Sequence, residues 1–225
     1  MLNRNGQLNS GTSNWRPTIS TEIFLQRADL LESARHFFKI EAYLEVETPL
    51  LSRDTVVDRN LEPLRVEFRK HRGAAPEWLF LQTSPEFGMK RLLAAGMPAI
   101  FQIGKAFRGG EVGRHHNPEF TMIEWYRTGD DHHAQMTCTE ALFRAMAQAV
   151  NCVIAEAPFP RLSYDAAFER AIGCRVLEFT ASELVSLCEK QKLVLPESLP
   201  RDDRDALRAA LRGTTLTTLP TATDA

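Results

Sequence analysis

Residues 101–127 place several chemically active side chains at the spacing of two β-strands joined by a loop. Arg108 closes the first predicted strand. The second strand carries Phe120, Glu124 and Tyr126, which are separated by even numbers of residues. Alternate residues of a strand point to the same face, so an aromatic ring, a carboxylate and a phenol share one side of the hairpin. A guanidinium binds a phosphate or a carboxylate through two hydrogen bonds. The spacing therefore predicts a cleft that can hold a triphosphate and a small cationic substrate.

The same alternation divides the two strands into a ligand face and a supporting face. On the first strand the ligand face is small and ends in the guanidinium; it comprises Gln102, Gly104, Ala106 and Arg108. The supporting face comprises Phe101, Ile103, Lys105 and Phe107 on the first strand, and Thr121, Ile123 and Trp125 on the second. We expect the supporting face to pack on another layer of the fold, which leaves the small face as the floor of a ligand site.

The loop between the strands is rich in glycine and in basic side chains. It contains Gly109, Gly110, Gly113, Arg114, His115, His116 and the pair Asn117-Pro118. Glycines let backbone N–H groups approach a phosphate, and Arg114 and His116 could neutralise its outer charges. The adjacent histidines could instead suggest a metal site, but no further ligand spacing supports one. We therefore expect a phosphate loop and no metal site.

Apolar periodicity predicts the elements that position this hairpin. A long amphipathic helix is expected over 18–43, and a shorter one over 85–95, which has proline at its start and glycine beyond its end. Further strands are expected over 44–47, 64–68 and 78–82. Further helices are expected at about 133–150, 163–172, 181–191 and 201–211. The predicted divisions are a loose N-terminus (1–17), a mixed core (18–130), a helical region (131–212) and a threonine-rich tail (213–225).

Composition restricts the class of protein. The 225 residues carry 27 basic and 29 acidic side chains, a formal net charge of −2, whereas proteins that bind nucleic acid extensively usually have a basic excess. The four cysteines are widely spaced, which favours reduced thiols over a disulfide framework or a zinc site. No apolar run reaches the roughly 18 residues of a membrane span, and the polar start lacks the apolar segment of a signal peptide. A cytoplasmic protein without membrane contact is expected.

Three segments resemble the class II aminoacyl-tRNA synthetases. The hairpin resembles motif 2, and its run HNPEFTMIEWY (116–126) is similar to that of the lysine-type members. The run EVETP (45–49) resembles motif 1 at the dimer interface, and TSPEFGMKRL (83–92) resembles the segment that begins the amino-acid pocket. Together these runs resemble the short lysyl-tRNA-synthetase-like ligases that attach (R)-β-lysine to elongation factor P.

The resemblance implies a role for each matching residue of the ligand face. Arg108 would bind the α-phosphate of ATP and the substrate carboxylate, and would steady the charge that develops as the carboxylate attacks phosphorus. Phe120 would stack on adenine. Glu86 would face the amino group of the substrate, and Glu124 with Tyr126 would hold its side-chain ammonium, because an unpaired buried ammonium is costly.

For the loop, the resemblance implies that Arg114 and His116 hold the outer phosphates and that Asn117 shapes the backbone. One position departs from the family, whose pattern is commonly Arg-x-Glu. Gly110 stands two residues after Arg108, and Glu111 follows it. It is therefore open whether any residue takes the role of the motif carboxylate; the alternative is that Glu111 takes it in the nucleotide site.

The fold that the resemblance implies is α+β, the class II catalytic core with a mainly antiparallel sheet flanked by helices. The implied activity is that of an ATP-dependent ligase that uses Mg²⁺, activates (R)-β-lysine or lysine as an adenylate and transfers it to a lysine of elongation factor P. A homodimer through the motif 1 region is implied as well. A tRNA acceptor is not expected, because only a short segment precedes the first predicted helix, where a lysyl-tRNA synthetase carries its anticodon-binding domain.

The C-terminal part of the chain departs from the family. Nothing after Leu211 resembles the third motif, a glycine-rich strand and helix that ends in Asp-Arg or Glu-Arg. We therefore expect a chain truncated before this motif, without the C-terminal third that carries the Mg²⁺ ligands. Two alternatives stay open: a catalytic core that lysylates tRNA, and an inactive remnant that only dimerises or binds nucleotide weakly.

Overall fold

The computed structural model describes residues 19–58, 61–110, 112–113, 116–197 and 199–215, and the fold within them is α+β, as the sequence predicts. The helices are α1 (Thr21–Ile40), α2 (Glu86–Ala94), α3 (His132–Ala149), α4 (Tyr164–Ile172), α5 (Ala181–Lys190) and α6 (Arg204–Thr215). The strands are β1 (Leu44–Glu45), β2 (Leu51–Ser52), β3 (Arg65–Phe68), β4 (Glu77–Leu81), β5 (Ala99–Phe107) and β6 (Glu119–Arg127).

The chain divides into two compact units, one that ends at Ile154 and one that begins at Ala155. Helix α3 packs on α1 within the first unit, and α4, α5 and α6 form the second. The domain limits that the sequence predicts at residues 17, 130 and 212 stay predictions. The predicted loose segment 1–17 lies outside the described residues, as does the predicted tail from residue 216 onward.

The strands of the first unit form two three-stranded sheets. In the larger one the order is β1-β5-β6, with β1 parallel to β5 and β5 antiparallel to β6 along its full length. The smaller sheet has the order β2-β4-β3 and is antiparallel. Strand β2, which has only two residues, is not among the strands that the sequence predicts.

The supporting face of the hairpin packs on a helical layer, which confirms the predicted alternation. Phe101 and Trp125 lie in one apolar cluster with Phe38 of α1 and Leu142 of α3. The ring of Phe38 stacks on Phe101 with 4.6 Å between centroids and lies 5.3 Å from the ring of Trp125. This layer holds one side of β5 and β6, so their other side is left for a ligand site.

The segment that follows β1 is fastened to the hairpin by a buried side chain. The Oε1 atom of Gln102 accepts hydrogen bonds from the backbone N–H and the hydroxyl of Thr48, both at 2.9 Å. Gly88 of α2 lies against the same threonine, since a Cβ atom at Gly88 would be only 2.8 Å from the Cβ atom of Thr48. Helix α2 therefore approaches the segment that follows β1 at a position that has room only for glycine.

Replacement of Gly88 by alanine is expected to destabilise the first unit by about 1–3 kcal/mol, the usual cost of overpacking. Alanine normally favours a helix, but here its methyl group overlaps a Cβ atom, which no side-chain rotation can move. Urea unfolding followed by tryptophan fluorescence measures the effect, because all three tryptophans of the chain precede residue 154. Gly113→Ala is the matched control, since nothing lies within 4 Å of its Cβ position. Equal stability of the two variants would contradict the expectation.

The second unit is a three-helix cluster whose helix ends are set by polar side chains. Its core contains Phe168 of α4, Leu184 of α5 and Leu207 of α6, each fully buried. A capping box at Thr180 starts α5. Helix α6 begins later than predicted, at Arg204, because the carboxylate of Asp203 accepts from the N–H groups of the first turn. The same helix runs to Thr215, into the first residues of the predicted threonine-rich tail.

Candidate active site

The register of the hairpin brings the predicted ligand face together. Gln102 lies opposite Glu124, Gly104 opposite Met122, and Ala106 opposite Phe120. Tyr126 follows on the same face, since it is two residues beyond Glu124. The aromatic ring, the carboxylate and the phenol of β6 therefore stand in one row beside the small residues of β5.

Arg108 lies directly after β5 and turns toward the start of α2. Its Nε–H donates to the backbone carbonyl of Thr83 at 3.3 Å, and its guanidinium carbon lies 5.2 Å from the ring centroid of Phe120. A cation at this distance is attracted by the ring. The guanidinium is half-buried and held from two directions, so it is oriented before any ligand arrives.

At the other end of the face, Tyr126 and Glu124 form a half-buried pair. The phenol donates to the Oε1 atom of Glu124 at 2.5 Å. Burial raises the pKa of the Glu124 carboxyl; the hydrogen bond from Tyr126 opposes this shift, and the Glu86 carboxylate adds to it. Burial and the hydrogen bond to Glu124 raise the pKa of Tyr126 far above its ordinary value, so the phenol stays a donor.

Helix α2 brings a second carboxylate into the range of this pair. Glu86 occupies the first turn of α2, where the helix dipole favours a negative charge. Its carboxylate forms an ion pair of 2.5 Å with Lys90, one turn further along the helix. Both Glu86 and Lys90 contribute to the electrostatic environment of Glu124. Two carboxylates from different elements thus converge, an arrangement suited to a ligand with two amino groups.

The loop between β5 and β6 is described only in part. The N–H group of Gly113 donates to the carbonyl of His116 at 3.1 Å, and both His116 and Asn117 are exposed. Glu111 and Arg114, two of the predicted nucleotide-binding residues, lie outside the described residues. Of the predicted site residues, the described part of the chain therefore brings together five: Arg108, Phe120, Glu124, Tyr126 and Glu86.

Sequence reasoning missed two buried polar residues beside the site. Gln102 was assigned to the ligand face without a role, yet it is only 2% exposed and ties β5 to Thr48. The carbonyl of Thr83 orients Arg108, and the Thr83 hydroxyl is fully buried without a hydrogen-bond partner. A glutamine inside an apolar strand could have indicated the role of Gln102. The role of the Thr83 carbonyl could not be predicted, because every residue has a backbone carbonyl.

Other kinds of site find little support in the described part of the chain. No group of three or more metal-ligating side chains converges there. The four cysteines are free thiols. None of the described helices is both long enough and apolar enough to span a membrane.

Comparison with known proteins adds a family match and a set of relatives. Residues 4–213 match the family of class II tRNA synthetases (D, K and N). Proteins named elongation factor P–(R)-β-lysine ligase are 46% identical in Vibrio cholerae and 44% identical in Vibrio vulnificus, each over 195 residues. The protein of that name in Pectobacterium atrosepticum is 42% identical over 199 residues. These alignments cover 87–88% of this chain and 58% of each relative, so the chain spans less than two thirds of their length.

Proposed function

The chain belongs to the class II tRNA synthetases of the D, K and N type, and on that premise we propose that it acts as an ATP-dependent ligase. It would activate (R)-β-lysine or lysine as an adenylate and transfer the acyl group to a lysine of elongation factor P. The observation that carries the proposal is the ligand face of the hairpin, which has a guanidinium at one end and a carboxylate–phenol pair at the other. The relatives named elongation factor P–(R)-β-lysine ligase support the choice of substrate and acceptor.

In the proposed first step, a carboxylate oxygen of the amino acid attacks the α-phosphorus of ATP, the P–O bond to the β-phosphate breaks, and pyrophosphate leaves. Negative charge then grows on the α-phosphoryl oxygens. Arg108 would stabilise that charge, and its hydrogen bond to the Thr83 carbonyl, which orients the guanidinium in advance, supports this role. Phe120 would stack on adenine. His116 and Arg114 would hold the outer phosphates, with Asn117 shaping the loop and Glu111 next to the nucleotide.

In the proposed second step, the neutral ε-amine of the acceptor lysine attacks the acyl carbon of the adenylate. AMP leaves, an amide bond forms, and the attacking amine loses a proton. During both steps Glu86 would pair with the amino group near the carboxylate, and Glu124 with Tyr126 would hold the distal ammonium. Each amino group of the substrate then has an acidic partner, which offsets its loss of hydration.

Mg²⁺ accompanies ATP in this kind of chemistry and neutralises its phosphates. The described residues contain no converging set of carboxylates that would hold the ion. We therefore assign it no ligand among the described residues and derive no step from it.

We infer further that the chain forms a homodimer through the motif 1 region. Large apolar side chains are exposed along α1 and β1: Phe24 is 48% exposed, Leu25 62% and Leu44 55%. Such a surface commonly marks a contact with another protein. Sedimentation equilibrium of the chain measures the association, and a mass that stays monomeric at tens of micromolar would contradict this inference.

The proposed function is tested by incubating the chain with ATP, Mg²⁺ and (R)-β-lysine and following pyrophosphate exchange. Purified elongation factor P is then added, and the added mass on the acceptor lysine is measured. ATP binding without exchange would overturn the activation step. Charging of tRNA in place of elongation factor P would overturn the choice of acceptor.

Binding of (R)-β-lysine is expected to weaken as the pH falls through the raised pKa of Glu124. The Glu124 carboxylate holds the ammonium only while the carboxylate is ionised. Burial raises its pKa, so it is protonated at a higher pH than an exposed glutamate. Calorimetric titration between about pH 7.5 and pH 5 measures the change. The Glu124→Gln variant should show a flatter profile, and an equal slope in both proteins would assign the pH dependence to another group.

A further inference from the structure

The chain segment that precedes β3 lies against the end of β5. The N–H group of Gly109 donates to the carbonyl of Glu62 at 2.7 Å, and the two residues form an isolated antiparallel bridge. Two residues later, the carbonyl of Leu64 accepts from Leu81 of β4 at 2.9 Å. The backbone of Glu62 is therefore fixed relative to the strand end that carries Arg108.

The side chain of Glu62 lies across two consecutive glycines. A Cβ atom at Gly109 would be 3.3 Å from the Cγ atom of Glu62 and 3.4 Å from its carboxyl carbon. A Cβ atom at Gly110 would be 3.5 Å from the Oε2 atom. Gly110 also has φ of +72°, a conformation that favours glycine. The Glu62 carboxylate thus lies beside the position toward which a side chain at residue 110 would project.

The place of Glu62 along the hairpin separates it from the proposed ammonium site. Glu124 lies opposite Gln102, whereas Phe107 is the last residue of β5, about 17 Å further along the strand. Glu62 is bonded to Gly109, beyond that end, where Arg108 and Phe120 lie. Its carboxylate therefore belongs to the nucleotide end of the site.

An ionised carboxylate can only accept hydrogen bonds, and it repels phosphate. The donors that ATP offers are the exocyclic amine of adenine and the ribose hydroxyls, all on its nucleoside part. We propose that Glu62 determines nucleotide specificity: its carboxylate accepts a hydrogen bond from the nucleoside of ATP, beside Arg108 and the paired glycines. The proposal rests on the proposed function, because it takes ATP as the ligand of the hairpin.

The test measures dissociation constants of the 225-residue chain for four nucleotides by calorimetry: ATP, ITP (which lacks the amine), 2′-deoxyATP and 3′-deoxyATP. Glu62→Ala is expected to weaken ATP binding about tenfold, and Glu62→Gln, which keeps a neutral acceptor, by less. Glu67→Ala is the matched control, because Glu67 is an exposed glutamate of β3 that pairs with Arg69. Thermal unfolding of each variant accompanies the titrations.

The pattern across nucleotides identifies the donor. A penalty that disappears with ITP assigns the hydrogen bond to the base amine, and one that disappears with a deoxynucleotide assigns it to that ribose hydroxyl. Unchanged ATP binding, tighter binding, or the same penalty for all four nucleotides would overturn the role of Glu62. If ATP binding depends on Arg108 but not on Glu62, only this inference fails; if the wild-type chain binds no ATP, the proposed function fails with it.

Discussion

Replacement of Arg108 by alanine is expected to raise the dissociation constant for ATP about 100-fold, the value of two charge-assisted hydrogen bonds to a phosphate. The side chain is held by the carbonyl of Thr83 and the ring of Phe120, so little ordering is needed when the nucleotide arrives. Pyrophosphate exchange is expected to fall further than binding, because negative charge on the α-phosphoryl group increases in the transition state. Calorimetry measures the first effect and isotope exchange the second.

Two further variants separate this role from a general effect of charge. Arg108→Lys keeps the positive charge but lacks the planar pair of donors, so it should recover only part of the binding. Arg53→Ala removes an exposed arginine that pairs with Glu77 at 3.2 Å, and it should bind ATP like the wild-type chain. Equal loss in the Arg53 and Arg108 variants would show that net charge, not the geometry of the hairpin, governs binding.

The sequence predicted the hairpin well because the alternation of side chains is clear on both of its strands. Alternation assigned Phe101 and Trp125 to a supporting layer, and they pack on α1 and α3. The same alternation placed Phe120 and Glu124 on the opposite face, and the register confirms it. A period of two residues is a local property of a strand, so it can be recognised in the sequence without any knowledge of distant contacts.

Contacts between segments that are distant in the chain could not be predicted from the sequence. Thr48 and Gln102 are 54 residues apart, and nothing in either segment indicates that one side chain would bind the other. The bridge between Glu62 and Gly109 is of the same kind. The adjacent glycines of the loop suggested phosphate binding, whereas the structure adds a second reason for them, the close approach of the Glu62 side chain.

The charge distribution on the ligand face supports the proposal of a substrate with two positive charges. Glu86 and Glu124 come from different elements, and the Glu86 carboxylate adds to the cost of ionising Glu124. Lys90 partly compensates this cost through its ion pair with Glu86, on the exposed side of α2. A substrate with two ammonium groups would supply the remaining positive charge, so binding and ionisation of the carboxylates are coupled.

Replacement of Glu124 by glutamine is expected to weaken (R)-β-lysine binding about 30- to 100-fold, because the distal ammonium would be left against a neutral amide in a half-buried place. ATP binding should change less than amino-acid binding, since Glu124 lies opposite Gln102 in the middle of β5 and acts on Arg108 through its charge and not through a hydrogen bond. Tyr126→Phe should have a smaller effect on amino-acid binding, because it removes only the donor that steadies the carboxylate. Calorimetric titration with each ligand gives both constants.

The matched control is Glu119→Gln on the same strand. Glu119 carries the same charge but is exposed and pairs with Lys105 at 2.8 Å, away from the ligand face. It should bind (R)-β-lysine like the wild-type chain, and its thermal unfolding should match that of Glu124→Gln within a few degrees. Equal losses of amino-acid binding in the two variants would show that the ammonium responds to the overall charge of β6. A loss confined to Glu124→Gln would place the distal ammonium at the carboxylate–phenol pair, because only that carboxylate is half-buried and oriented by Tyr126.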